Sequence, residues 1–86
     1  MAINNYSNDA HKPLLLQWNI RGLRKNFDFL KDYIIKHKPI AICLQECLID
    51  EKDIPKWLID RYHISTDKLK DTRKILALVG IEKTIR

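Results

Sequence analysis

Leu14-Leu15-Leu16-Gln17-Trp18-Asn19-Ile20-Arg21-Gly22 and its echo Ile40-Ala41-Ile42-Cys43-Leu44-Gln45-Glu46 decide the reading of this chain. Each is an apolar run that turns polar at its C-terminal end, at Asn19 in the first and Glu46 in the second. An amphipathic segment separates them, so the order is strand, helix, strand. Two strands joined by a helical crossover run parallel, with a right-handed connection. Their C-terminal ends then share one edge of a sheet, where open α/β sheets bind ligands. Asn19 and Glu46, 27 positions apart in sequence, are thereby expected to meet in space. A carboxylate beside a carboxamide offers hard oxygen ligands of the kind Mg²⁺ prefers.

The first strand has two unlike faces. Leu14, Leu16, Trp18 and Ile20 share one, and Leu15, Gln17, Asn19 and Arg21 the other, which suits a sheet covered on both sides. Gly22 ends the strand and permits a turn. Asn26 is the candidate N-cap of the helix that follows. At 100° per residue Phe27, Leu30, Tyr33, Ile34 and His37 form one stripe, with Asp28, Asp32 and Lys36 opposite. Asp32 and Lys36 make a favourable i,i+4 pair. Pro39 bounds the helix, because the residue before a proline disfavours the α region. His37 in the last turn suits the helix C-terminus better than it suits chemistry. Ile40–Leu44 is an unbroken apolar run of strand length, as in a central parallel strand.

Outside this β-α-β core the signals are weaker. Residues 1–12 are polar and aperiodic and read as a flexible leader, with His11 a solvated tail residue; residues 13–86 form the domain. Asp50 to Asp53 reads as a polar loop. Asp53 to Asp60 reads as one or two helical turns with Pro55 near the start. Tyr62 to Thr66 alternates and is β-prone. Asp67 to Lys74 is a charged loop, and Ile75 to Val79 a strand that Ile81 to Arg86 can extend. A helix over Lys68 to Val79 is the rival reading, and periodicity does not separate the two.

Composition sets outer bounds. Eighty-six residues, 45% hydrophobic and 31% charged, make one globular domain. At this size only about 60% of the unfolded surface is buried, so the core is marginal. The net charge of +5 is dispersed: residues 1–50 hold seven Lys/Arg against five Asp/Glu, and residues 51–86 nine against six. That suits a polyanion without demanding one. Cys43 and Cys47 match no zinc or CxxC spacing. Cys43, inside an apolar run, reads as a reduced core residue and Cys47 as half-exposed, with no disulfide and an intracellular setting, cytoplasmic or nuclear. No apolar run has the length of a signal peptide core or a membrane span. There is no G-x-S-x-G elbow, no phosphate-binding glycine-rich loop and no pair of histidines at zinc spacing.

Leu16-Gln-Trp-Asn-Ile-Arg-Gly-Leu-Arg24, then Phe27 and Leu30, then Lys38-Pro-Ile-Ala-Ile-Cys-Leu-Gln-Glu46, resembles the start of the endonuclease/exonuclease/phosphatase superfamily. The Trp-Asn-x-Arg-Gly-Leu form is most similar to endonuclease domains of non-LTR retrotransposons, and next to apurinic/apyrimidinic endonucleases. The likeness spans Leu14 to Leu48, and weaker echoes follow in Tyr62-His-Ile and in Lys74 to Ile85. Arg73-Lys74 stands where the family places a glycine pair. The resemblance implies the first part of a four-layered α/β sandwich and Mg²⁺-dependent hydrolysis of phosphodiesters in DNA. It implies Glu46 as metal ligand, Asn19 as the group orienting phosphate or the metal's waters, and Arg21 and Arg24 as nucleic-acid contacts. The family's later Asp-x-Asn segment and Asp-His pair have no counterpart in these residues. A truncated domain of little or no activity, self-associating through exposed sheet edges, is therefore expected. Two other readings stand beside it: a non-catalytic nucleic-acid-binding or interaction module, and another phosphodiesterase or phosphatase of the superfamily.

Overall fold

The computed structural model describes residues 3–5 and 14–83. The chain is α/β. The β-α-β unit has the expected form: strand β2 (Leu15–Asn19), helix α1 (Phe27–His37) and strand β3 (Ala41–Gln45). The two strands pair in parallel, with Leu15 opposite Ala41 and Asn19 opposite Gln45. A helix α2 (Lys56–Arg61) leads into β4 (Tyr62–Lys68), which turns back as β5 (Ile75–Glu82). Residues 75–82 are thus a strand, and the rival helix is excluded. Its apolar run has partners on both sides, since β5 lies antiparallel to both β3 and β4. Ile3–Asn5, within the stretch expected to be a leader, instead forms β1, antiparallel to β2. The rest of that leader, His11 included, lies outside the described residues. The sheet order is β1-β2-β3-β5-β4.

One face of this sheet holds the core. Leu16, Trp18 and Ile20 from β2 and its extension, Ile42 and Leu44 from β3, and Leu78 from β5 are all buried. Leu30 and Ile34 from α1 and Leu58 from α2 belong to the same core. Phe27 and Tyr33 flank it half-buried, while His37 is exposed and lies against the Tyr33 ring, centroids 4.4 Å apart. Fully burying one such large apolar side chain stabilises the fold by about 1.5–3 kcal/mol. Tyr62 is buried too, and its hydroxyl donates to the Pro39 carbonyl at 2.6 Å, tying the start of β4 to the start of β3. Gly80 gives β5 room: a Cβ there would stand 2.9 Å from Ile42 Cγ1.

The opposite face is open, which corrects the expectation of a sheet covered on both sides. Leu15, Val79 and Ile81, at 40%, 41% and 43% exposure, point there beside half-buried Ala41, Cys43 and Ala77.

Cys43 and Cys47 exchange their expected places. Cys43 is the half-exposed thiol and Cys47 is fully buried; both are free. Strand alternation explains the first, because Ile42 and Leu44 take the core side. A left-handed kink at Glu46 (φ +54°) explains the second, because it breaks the alternation that would leave Cys47 outside.

Asn26 also departs from its expected role. It precedes α1 but makes no capping hydrogen bond. The helix ends as expected before Pro39, with Lys38 left-handed and its N–H bonded to the Ile34 carbonyl at 2.8 Å. Asp32 and Lys36 pair at 3.2 Å on its outer face.

Candidate metal and phosphate site

β2 and β3 run parallel, so both end at one rim of the sheet. Asn19 is exposed, stands directly across from Gln45, and alternates with Trp18 and Ile20 onto the open face. Glu46 is the next residue of the neighbouring strand and is half-buried. The amide and the acid therefore come to the same rim from adjacent strands.

Both chains kink there. Arg21 (φ +48°) and Gly22 (φ +106°) turn the backbone after β2, and Glu46 and Leu48 (φ +58°) turn it after β3. Glycine takes this region freely, whereas a residue with a Cβ bears about 1–2 kcal/mol. The two turns are laced together. Ile20 N–H donates to Gln45 O at 3.0 Å, Gly22 N–H to Glu46 O at 2.8 Å and Leu23 N–H to Cys47 O at 2.8 Å. Asn26 completes the brace. Its side-chain amide donates to Ile20 O at 2.9 Å and to Gly22 O at 3.1 Å, both carbonyls of the turn beside Asn19. The sequence offered Asn26 only as a cap; its spacing from Gly22, four residues, is the signal that could have suggested the brace.

The four expected site residues do not all behave alike. Arg21 is exposed in the turn over the rim. Arg24 is exposed but pairs with Asp53 at 3.2 Å, which offsets its charge. Lys68 with Glu51 at 2.9 Å and Lys74 with Asp50 at 3.8 Å make two further pairs with the same acidic segment. These pairs fasten residues 50–53 along the rim and neutralise charge there.

Register places two further polar groups in the row of Asn19. Gln45 is adjacent, and Asp67 on β4 lies in the same row beyond Ala77. Asp67 is three strands from Asn19, about 14 Å at ordinary strand spacing, too far to share an ion with it. No cluster of three or more His, Cys, Asp or Glu occurs among the described residues. His63 sits at the start of β4, about 13 Å along the strand from Asp67 and the rim. His37 ends α1, at the sheet's other edge. Neither stands where a base for the rim would be needed.

Cavities are found elsewhere. A groove of about 240 Å³ between the helices is lined by Ile34, Trp57 and Arg61, and one of about 330 Å³ beside β4 by Ile54, Tyr62 and Thr66. Neither of these two grooves includes Asn19 or Glu46. Among the described residues no helix is long and apolar enough to cross a membrane. No protein-family model matches this chain, and no curated protein matches it.

Proposed function

We propose that this chain carries the metal-and-phosphate-binding portion of a Mg²⁺-dependent, retrotransposon-type DNA endonuclease, with little or no hydrolytic activity from these residues alone. The observation that supports the reading most is the Asn19/Glu46 rim. Two parallel strands end side by side, each in a left-handed turn, and the turns are bonded to each other through Gly22 N–H and Glu46 O. Backbone held in sparsely populated conformations is common where a site needs fixed geometry. The motif wording around Asn19 and Glu46 supplies the substrate class.

The donor set suits the ion. Mg²⁺ takes one or two protein carboxylates and completes its shell with water and substrate phosphate. The half-buried Glu46 carboxylate and the exposed Asn19 carboxamide, at the ends of adjacent strands, would supply such a partial shell. When bound, the ion supplies positive charge that polarises a phosphoryl oxygen. Glu46 would hold it and Asn19 would donate its amide N–H to a phosphate oxygen. Arg21 would contact the neighbouring backbone phosphate, and Arg24 would contribute less because Asp53 already holds it. The described histidines are remote from the rim, so neither is placed to activate water there. Absence of a general base typically costs a factor of about 10²–10⁴.

That same remoteness favours a second reading, in which the rim binds nucleic acid without cutting it. Fluorescence anisotropy with a labelled DNA duplex separates the two. The nuclease-derived reading expects Mg²⁺ to tighten binding severalfold and Glu46→Gln to abolish that gain. Salt-dependent binding indifferent to Mg²⁺ and to Glu46→Gln would leave only the second reading.

A further inference from the structure

An acidic segment lies along the rim and holds three cations there. Ile49 and Ile54 are both buried, so Asp50, Glu51, Lys52 and Asp53 run between two anchors in the core. Backbone bonds fix the near end. Leu48 N–H donates to Ile75 O and Ile75 N–H to Ile49 O, both at 2.8 Å, and Asp50 bridges to Lys74 in antiparallel fashion. Glu51–Asp53 then makes one 3-10 turn, with Ile54 N–H donating to Glu51 O at 3.2 Å. The backbone thus carries three carboxylates at a fixed place.

The cations they meet come from three separate parts of the chain. Arg24 follows the turn after β2, Lys68 ends β4, and Lys74 stands just before β5. Because β5 runs antiparallel to both β3 and β4, the end of β4 and the start of β5 reach the rim where β2 and β3 end. The turn from Lys68 to Lys74 holds four Lys/Arg and one Asp, and all four basic residues are exposed. To such cations a nucleic-acid backbone offers what these carboxylates offer, anionic oxygens that accept charge-assisted hydrogen bonds.

We infer that residues 50–53 are an internal competitor for nucleic-acid phosphates: their carboxylates occupy Arg24, Lys68 and Lys74, and a nucleic acid at the rim gains those cations only by displacing them. The inference rests on the reading that the rim binds nucleic acid. It adds the surface along which the ligand runs, from Arg24 to the β4–β5 turn, and a limit on its affinity.

Magnitudes make the displacement workable. The Arg24 and Asp53 side chains are 67% and 33% exposed, and those of Lys68 and Glu51 45% and 58%. An ion pair this open to water is screened by salt and shifts an equilibrium by a factor of about five at most. A polyanion adds the release of its condensed counterions to whatever contacts it makes. The pairs therefore weaken binding, by roughly tenfold together, without preventing it. The segment stays anchored at Ile49 and Ile54 throughout, and only side chains exchange partners.

The test measures binding of the full chain to a labelled DNA duplex by fluorescence anisotropy, without Mg²⁺ and from about 50 to 200 mM salt. Asp50→Asn, Glu51→Gln and Asp53→Asn together release the three cations. Asp28→Asn, Asp32→Asn and Asp60→Asn make the same change of net charge on α1 and α2, where Asp32 and Asp60 hold Lys36 and Lys56. The rim variant is expected to bind roughly tenfold tighter than the unmodified chain, with a log–log salt slope steeper by about 2–3. It is also expected to bind severalfold tighter than the helix variant. Arg24→Ala, Lys68→Ala and Lys74→Ala together should cost several times more in the rim variant than in the unmodified chain, because only there are the cations free. Should the rim variant melt early, Glu51→Gln with Lys68→Ala runs the same cycle on one exposed pair.

A rim variant that binds no tighter than the helix variant would overturn the inference. So would alanine replacements of equal cost in both backgrounds, or no DNA binding by either chain. The nuclease-derived reading fails separately: binding indifferent to Mg²⁺ and to Glu46→Gln removes that reading and leaves the competitor in place.

Discussion

Tyr62 shows how one residue fixes the relation between distant parts of the chain. Its ring is buried and its hydroxyl donates to the Pro39 carbonyl, 23 residues away. Burial pushes its pKa from 10.0 up to about 12, and burial together with the neighbouring Cys43 pushes Cys47 from 9.0 up to about 11. Both groups are neutral when protonated, and the fold favours that form. Stability from them is complete below about pH 9, falls as Cys47 titrates between about 9 and 11, and falls again as Tyr62 titrates between about 10 and 12. Thermal melts from pH 7 to 11 are expected to show a declining midpoint above pH 9. Tyr62→Phe, which leaves the Pro39 carbonyl without its donor, is expected to cost about 1 kcal/mol by urea titration. At this scale the sequence misled in an instructive way. Cys43 and Cys47 looked like core and margin because an unbroken apolar run hides which parity faces inward, and a left-handed Glu46 is not written in any neighbouring residue.

Elements were legible where their signals are local. The periods of β2 and α1 come from side chains within a few positions of each other, and both formed with the expected inward faces except that His37 is exposed. By contrast, β3 formed as a strand whose unbroken apolar run had left its inward parity open. Asn26 failed as a cap because its amide had a better use. Its side-chain N–H donates to two carbonyls of the turn, those of Ile20 and Gly22. β5 was harder to read, since its apolar run fits a strand or a helix until its neighbours are known. Its place between β3 and β4 is set by antiparallel pairing with both, with Gly80 directly beside Ile42 and Ile64. The glycine lets the Ile42 and Tyr62 side chains close over the strand. Gly80→Ala would press a methyl group against Ile42 Cγ1 and Tyr62 Cβ, at 2.9 and 3.1 Å. A loss of about 1–3 kcal/mol in chemical denaturation is expected. Combined in one chain with Ile42→Ala, which removes Cγ1, the two changes are expected to cost less than the sum of each alone.

At the scale of the molecule, topology does what the two motifs alone cannot. Parallel pairing of β2 and β3 puts Asn19 and Glu46 at one rim, and that much followed from strand-helix-strand order. Three features did not follow. One is the strand formed by Ile3–Asn5. Another is the ion pairing of Arg24 by Asp53. The third is the open apolar face behind the rim. Each depends on contacts between residues far apart in sequence, which no local pattern encodes. The same topology puts His63 and His37 away from the rim, so neither described histidine stands where a base for it would be needed.

Binding of a divalent ion by Glu46 with Asn19 is therefore the claim to test first. Nitrogen-15 labelled protein titrated with Mn²⁺ in place of Mg²⁺ reports proximity to the ion through line broadening. The account predicts selective broadening of the Glu46 backbone amide and the Asn19 side-chain amide at substoichiometric Mn²⁺. That broadening should be reversed by excess Mg²⁺ and be absent in Glu46→Gln. Broadening centred instead on Asp67 and Asp71, or spread evenly over the acidic residues, would contradict it.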